Sequence, residues 1–401
     1  MDPCRKIVDE AVASRRDELH AVNQFLWKNP ETRFEEHKAH DCICRFLEDE
    51  GFAVQRHYIL QTAFRAEYGA GSPVVALLCE YDALPGLGHA CGHNLIAESA
   101  LAALVAVREL MRWHQDSFGT NIPGTVVLLG TPAEEGGMGK EFLLKAGAFE
   151  GVDAALIAHP ANISCLRMLL SARCTLGVVF EAAEDLNTTQ PRAMDAAVLA
   201  YTNLSLLRER LGPDSRLHGV LLRSEPKNGL DVQRTQLEFA VRAQSLELLT
   251  SLRKDFACCM EAAAVSTGCK VTVTEMAATC KSMKLNETLL NLFGRHSKHY
   301  GMTFVDEEDC RARAYGATSD AGNVSHRLPT IHPLYRINSA SVMHTDEFCR
   351  AAGTQESHEQ ALDVGKVLAL TTYDLLRDRR LVEAAWDQFY GARKYPSRIY
   401  N

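Results

Sequence analysis

Three apolar runs, each followed by turn residues, set the frame of this chain. Val74 to Cys79 is apolar at every position, as are Val126 to Leu129 and Ala154 to Ala158. Such runs predict central strands buried on both faces, where no polar alternation is needed. A further strand is predicted over Ala63 to Tyr68. Between them the pattern turns helical. Asn94 to Gln115 is rich in Ala and Leu and apolar nearly all round, which predicts a well-buried helix. A shorter helix is predicted over Lys140 to Ala148. Upstream, Leu19, Val22 and Leu26, then Ile43, Phe46 and Leu47, recur at helical spacing. They predict two helices within residues 1–50, split by the turn Asn29-Pro30-Glu31-Thr32. Strands alternating with helices imply an α/β fold: a mainly parallel sheet with helices on both faces.

From about Cys174 the pattern changes. The order becomes strand (Thr175–Phe180), helix (Arg192–Arg210), strand (Leu217–Leu222), strand (Gln236–Arg242), helix (Leu246–Thr267), strand (Lys270–Glu275). Leu237, Phe239 and Val241 alternate with polar residues, as on a sheet with one wet face. This β-α-β-β-α-β order is the ferredoxin-like unit. It predicts an α+β domain over residues 173–283, inserted into a discontinuous α/β domain of residues 1–172 and 284–401. After Asn286 the α/β texture returns, with a strand expected at Thr303–Val305 and a closing helix from about Thr354 to Arg377.

Composition narrows the function classes. The chain has 401 residues, a net charge of −8 and no basic block. That argues against nucleic acid or an anionic membrane surface as partner. No run reaches the roughly 18 apolar residues of a membrane span. The opening Met1-Asp2-Pro3-Cys4-Arg5-Lys6 lacks the apolar run of a signal peptide. Thirteen irregularly spaced cysteines then read as reduced thiols, and a cytoplasmic location is expected.

The chemistry is concentrated at the strand ends. Leu84-Pro85-Gly86-Leu87-Gly88-His89-Ala90-Cys91-Gly92-His93-Asn94 follows the first apolar strand. Gly130-Thr131-Pro132-Ala133-Glu134-Glu135-Gly136 follows the second, and Ala158-His159-Pro160 the third. Loops leaving a sheet on one side meet in a crevice beyond the carboxyl ends of the strands. Cys91, His93, Glu135 and His159 would converge there, a donor set suited to a zinc-type ion. Taken singly, a cysteine is more often a small core residue, a histidine a satisfied one, and paired glutamates a solvated face. Two carboxylates at a buried strand end are costly without a cation, and this favours the joint reading. If Glu134-Glu135 leaves the strand extended, the two side chains face opposite ways.

These motifs resemble the co-catalytic metallopeptidases of the aminoacylase type, in the amidohydrolase branch with a Cys-Gly-His ligand triplet. The likeness also rests on Asn29-Pro30-Glu31-Thr32, Cys79-Glu80-Tyr81-Asp82-Ala83-Leu84-Pro85-Gly86, Thr318-Ser319-Asp320-Ala321-Gly322-Asn323-Val324-Ser325 and His344-Thr345-Asp346-Glu347-Phe348. It implies two divalent metal ions, zinc or manganese, held by Cys91, His93, Glu135, His159 and His344. It also implies that Glu134 is the general base and that Asp82 orients a ligand. His344 comes from the resemblance alone, since Met343-His344-Thr345-Asp346 otherwise reads as a polar turn before a helix. The implied reaction is hydrolysis of the amide bond of dipeptides with a basic C-terminal residue, such as β-alanyl-lysine or Xaa-Arg. A homodimer formed through the inserted domain, acting also as a lid, is implied as well.

The inserted domain departs from the family pattern. Relatives carry a Gly-x-x-x-His segment whose histidine reaches a neighbouring subunit's site. Phe180-Glu181-Ala182-Ala183-Glu184-Asp185-Leu186-Asn187 stands there without a histidine. Asn228-Gly229-Leu230-Asp231-Val232 replaces a substrate-holding Asn-Ile-Ile-Pro segment. Loss of one oxyanion donor can cost roughly 10²–10³ in turnover. His218 and Arg242 are the candidate substitutes, the second as a bidentate partner for a substrate carboxylate. Both also read as surface strand residues. Two alternatives stay open: a hydrolase of other N-acyl amino acids, and a metal-binding pseudoenzyme.

Overall fold

The computed structural model describes residues 2–182, 192–228, 231–313 and 316–391. The chain divides into two compact units. One comprises Met1–Met168, Lys284–Arg313 and Asn323–Asn401; the other comprises Leu169–Met283 and Ala314–Gly322.

The strands, in chain order, are β1 (Ala53–Arg56), β2 (Phe64–Ala70), β3 (Val74–Cys79), β4 (Gly124–Gly130), β5 (Ala154–Leu156), β6 (His159–Ala161), β7 (Ala172–Ala182), β8 (Ser215–Asn228), β9 (Asp231–Ala243), β10 (Cys269–Glu275), β11 (Thr330–Ile331) and β12 (Leu334–Arg336). In the first unit six strands form one sheet in the order β1-β2-β4-β3-β5-β11. β4, β3, β5 and β11 are parallel neighbours, as the apolar runs predict. β4 is buried along its whole length. The sheet is mainly parallel, as expected, and only at one edge do β1 and β2 pair antiparallel and β2 pair antiparallel with β4. Seven residues join β1 to β2, too few for the crossover a parallel pair requires. β6 and β12 make a separate parallel pair.

The helix His93–Phe118 packs against the helix Gln355–Arg377. At Gly365 they approach closely, since a Cβ there would come within 2.7 Å of the Ala102 Cβ. The N-terminal region holds three helices, Pro3–Ala13, Arg16–Lys28 and His37–Asp49, where the periodicity predicted two. The extra break falls at Ser14-Arg15, with Arg15 at φ −122 and ψ 14, and no glycine or proline signals it. Thr303–Val305 is not a strand. The Val305 amide makes one bond to the Ser164 carbonyl at 2.9 Å, and the parallel positions are taken by β11 and β12. The reduced-thiol expectation also needs correction, since Cys165 and Cys310 form a disulfide. Their Cα atoms lie 5.7 Å apart, within the range a disulfide spans.

In the second unit four antiparallel strands run in the order β10-β7-β9-β8, with helices Ala193–Glu209 and Leu246–Thr267 between them in sequence. This is the ferredoxin-like arrangement. Leu237, Phe239 and Val241 are fully buried with Leu204, Phe256 and Met260, so the alternation on β9 did mark the core face. β8 is an edge strand, and Val220, Leu221 and Leu222 on it are 52%, 45% and 50% exposed. Among the described residues no helix is long and apolar enough to cross a membrane.

Candidate metal centre

β3, β4 and β5 are parallel, so their exits open on the same edge of the sheet. The loop after β3 closes on itself: the Leu84 and Gly88 backbones exchange two hydrogen bonds, of 3.0 and 3.1 Å. The loop then reaches Cys91 and turns at Gly92 (φ 84) into the helix that begins at His93. Only glycine fits at position 92. A Cβ there would lie 2.6 Å from Pro160 Cγ, and the positive φ disfavours a side chain in any case.

Asp82 ties two of the loops together. His93 Nδ1 lies 2.9 Å from the Asp82 carbonyl and 3.0 Å from its Oδ1. The other carboxylate oxygen accepts the Glu135 amide at 2.8 Å. His93 therefore has Nε2 free to face inward, and that atom is buried with no hydrogen-bond partner. Glu134 Oε2 stands 3.9 Å from it. Cys91 Sγ lies 3.4 Å from His159 Nε2, and His159 Nδ1 lies 2.7 Å from the Pro160 carbonyl. His344 comes from the distant turn before helix Asp346–Ala352. Its amide donates to the Ala90 carbonyl at 2.9 Å, and its Nε2 lies 3.2 Å from Glu135 Oε1.

The segment carrying the two glutamates is not extended. Ala133 adopts φ 61, Glu135 φ −69 with ψ 72, and Gly136 φ 82. The Ala133 carbonyl accepts from the Gly137 amide at 3.1 Å, which closes a turn. The alternating-face argument does not apply, and the turn itself sends Glu134 towards His93 and Glu135 towards His344.

Three overlapping groups of donor atoms result, each within 4.8 Å: Cys91, His93 and His159; Cys91, Glu135 and His344; His93, Glu134 and Glu135. Burial raises the Cys91 thiol well above its usual value, and the Glu135 carboxylate adds to this. Burial opposes the charged form of His93, yet Cys91 and Asp82 hold its pKa well above the usual histidine value. For Glu135 burial pushes upward, but pairing with His344 and the His93 charge hold it at about 2. His159 is lowered to about 3 by burial and by the neighbouring His332 and His93. The donor set fits a pair of divalent ions. It combines a thiol, imidazoles and carboxylates, and His93 Nε2 is buried without a hydrogen-bond partner. Cys91, His93 and Glu135 are each common to two of the groups, so the three groups form one continuous cluster.

Sequence reasoning did not single out three buried residues beside these. Glu80, directly after β3, is fully buried and lies 2.6 Å from the ammonium of Lys140. His332 directly follows β11, His159 opens β6, and the two rings stack at 5.4 Å. Both precede a proline at a strand end, Pro333 and Pro160, and that repeated His-Pro was the available signal. For Glu80 the signal was an acidic residue immediately after an all-apolar strand.

Arg242 and His218 belong to the second unit. His218 is exposed on β8, opposite Ala240. Arg242 is half-buried on β9, its Nε lacks a hydrogen-bond partner, and its pKa is lowered by burial and by Arg173 and Arg216. Of the two altered lid stretches, residues 183–187 and residues Gly229 and Leu230 lie outside the described residues.

Residues 76–360 match the peptidase family M20/M25/M40. The chain is 38% identical to the Xaa-Arg dipeptidase of Mus musculus over 95% of its own length and 90% of that protein's. It is 36% identical to the Xaa-Arg dipeptidase of Homo sapiens, with the same coverage of each chain. Among solved structures it resembles a dinuclear metal-binding peptidase of the M20 family from Bacillus subtilis. The TM-score is 0.71 at 19% identity, covering 91% of this chain and 99% of that one. The chain belongs to the M20/M25/M40 peptidase family, whose members include hydrolases of amide bonds.

Proposed function

We propose that this protein is a metal-dependent dipeptidase that cleaves the amide bond before a basic C-terminal residue, of the β-alanyl-lysine or Xaa-Arg kind. The observation that carries the reading is the convergence of Cys91, His93, Glu134, Glu135, His159 and His344 in overlapping groups within 4.8 Å. The Xaa-Arg dipeptidase activity of the mouse and human relatives supports the substrate class.

In this reading Cys91, His93, Glu135, His159 and His344 hold two divalent ions, zinc or manganese. When bound, such ions lower the pKa of water and polarise the amide carbonyl. Glu134 takes the proton of the attacking water and passes it to the leaving amine, as a general base that becomes a general acid. Asp82 fixes the His93 ring so that Nε2 faces inward. The second unit supplies the homodimer contact along the exposed edge strand β8. Unpaired apolar edges of this kind associate readily about a two-fold axis. A cytoplasmic location is part of this reading on the sequence pattern alone, and the Cys165–Cys310 disulfide runs against it.

A second reading keeps the chemistry and changes the acyl group. It is favoured by relatives that act on other amides, such as a p-aminobenzoyl-glutamate hydrolase chain of Escherichia coli, 28% identical over 96% of this chain. A screen of dipeptides ending in Lys or Arg against N-acyl amino acids, on metal-reconstituted protein, separates the two. Turnover of the basic dipeptides at least tenfold faster supports the first reading; the reverse order supports the second. No turnover of either class leaves the pseudoenzyme alternative.

A further inference from the structure

We propose that Glu36 is a positioning residue of this centre, whose buried carboxylate holds the turn at Ala133 and so aims Glu134 towards His93. The inference rests on the dipeptidase reading above and adds a residue which that reading does not contain.

Two residues with strained backbones meet at Glu36. Ala133, directly before Glu134, adopts φ 61, and Phe34 adopts φ 62. Residues with a side chain take this left-handed conformation at a cost, and keep it only where the surroundings enforce it. One oxygen meets both backbones: Glu36 Oε1 accepts the Phe34 amide at 2.9 Å and the Ala133 amide at 2.9 Å. The other oxygen accepts the Thr62 hydroxyl at 2.8 Å. The Glu36 side chain is fully buried, where an amide that lost its acceptor would stay unpaired.

Helix capping does not explain the place of Glu36. It occupies the N-cap position of the helix His37–Asp49, yet its side chain does not cap that helix. Glu31 Oε2 does so instead, accepting the Lys38 and Ala39 amides at 2.8 and 3.0 Å. The Glu36 carboxylate reaches across to a residue 97 positions along the chain. The segment around it packs on the same turn. Arg33 Nη1 donates to the Gly136 carbonyl at 3.3 Å, and a Cβ at Gly137 would come within 2.9 Å of the Phe34 ring. The Glu31 carbonyl accepts the Ala83 amide at 2.8 Å, next to Asp82. Two buried carboxylates thus hold the glutamate turn, Glu36 at the Ala133 amide and Asp82 at the Glu135 amide, and Glu134 lies between them.

Two substitutions separate reach from charge. Glu36→Gln keeps the oxygen that takes both amides and loses the charge, and the Thr62 hydroxyl can turn to accept from the new side-chain amide. Glu36→Asp keeps the charge and draws the oxygens back by about 1.5 Å. Both are compared with the unmodified chain, zinc-reconstituted, on a dipeptide ending in Arg. Glu36→Gln should keep a kcat near that of the unmodified chain. In Glu36→Asp kcat should fall about 10²-fold, the effect of misplacing a reacting group by about 1 Å. KM and zinc content should hold in both, because Asp82 still fixes the Glu135 amide. Glu36→Asp/Ala133→Gly should recover part of the loss, since glycine adopts the turn without the bond; a role elsewhere in the fold would not be rescued at residue 133. Normal turnover by Glu36→Asp, or an equal loss in both single variants, would overturn the proposal. Should Glu36→Asp not fold, a crystal structure of the unmodified chain decides. An Ala133 amide within about 3.2 Å of Glu36, at positive φ, supports the assignment, and a distance beyond about 3.5 Å overturns it. No turnover by the unmodified chain would overturn the dipeptidase reading, and the proposal with it.

Discussion

The carboxylate of Asp82 and the imidazole of His93 form the joint on which the candidate centre turns. One Asp82 oxygen meets His93 Nδ1 at 3.0 Å, and the other accepts the Glu135 amide at 2.8 Å. A single buried side chain thus sets the ring orientation of one candidate ligand and the backbone position of another. Asp82→Ala should therefore weaken zinc binding by about 10–100-fold. Asp82→Asn, which keeps the shape, should do less harm. Isothermal titration of the metal-free proteins measures both, and equal affinities in all three would refute the role.

The roles proposed for the adjacent glutamates differ, and substitution should separate them. Glu134→Gln keeps the shape but cannot accept a proton. Turnover should drop about 10²–10⁴-fold while metal content holds. Glu135→Gln should shed metal. The assignment fails if Glu134→Gln turns over normally, or if it is the variant that loses metal.

Gly92 lies between two candidate ligands at φ 84, with Pro160 Cγ 2.6 Å from where a Cβ would be. Gly92→Ala combines a disfavoured conformation with a clash against the residue that follows His159. A loss of about 1–3 kcal/mol in stability is expected from strain of this kind, together with weaker zinc binding. Urea unfolding with and without zinc would show it. A variant as stable as the unmodified chain would mean that the loop yields freely.

The metal-free protein should be sensitive to mild acid through His89. Burial, with His93 nearby, lowers its pKa to about 3, against an unfolded value of 6.5. Between those values the unfolded chain carries the extra proton. Stability therefore falls as pH falls below about 6.5, by up to about 1.4 kcal/mol per pH unit from this group. His89→Asn should reduce the slope between pH 6.5 and 5 by about that amount. Unfolding curves at several pH values measure it, and identical slopes would show that His89 contributes nothing.

The sequence was most legible where apolar runs were long. β3 occupies the residues its pattern predicts, and the helix Leu246–Thr267 does as well. The strand ends were legible because Cys91, His93, Glu134, Glu135 and His159 sit in short loops tied to buried strands. His344 was not, since a polar turn far along the chain carries no periodic signal, and only the resemblance named it. Glu80 and Lys140 escaped because each reads alone as an ordinary charged residue, and only the fold shows that both are fully buried. The break at Ser14-Arg15 carries no glycine or proline punctuation, whereas the reversal between β2 and β3 is marked by Gly71-Ser72-Pro73.

The central claim is a two-metal centre built from three strand-end loops and one distant turn. Its most direct test is metal content by plasma mass spectrometry on zinc-reconstituted, gel-filtered protein. The unmodified chain should carry about two ions, as two-metal sites do, and Cys91→Ser and His159→Ala should each carry fewer. Two ions retained in both variants, or none in the unmodified chain, would contradict the account.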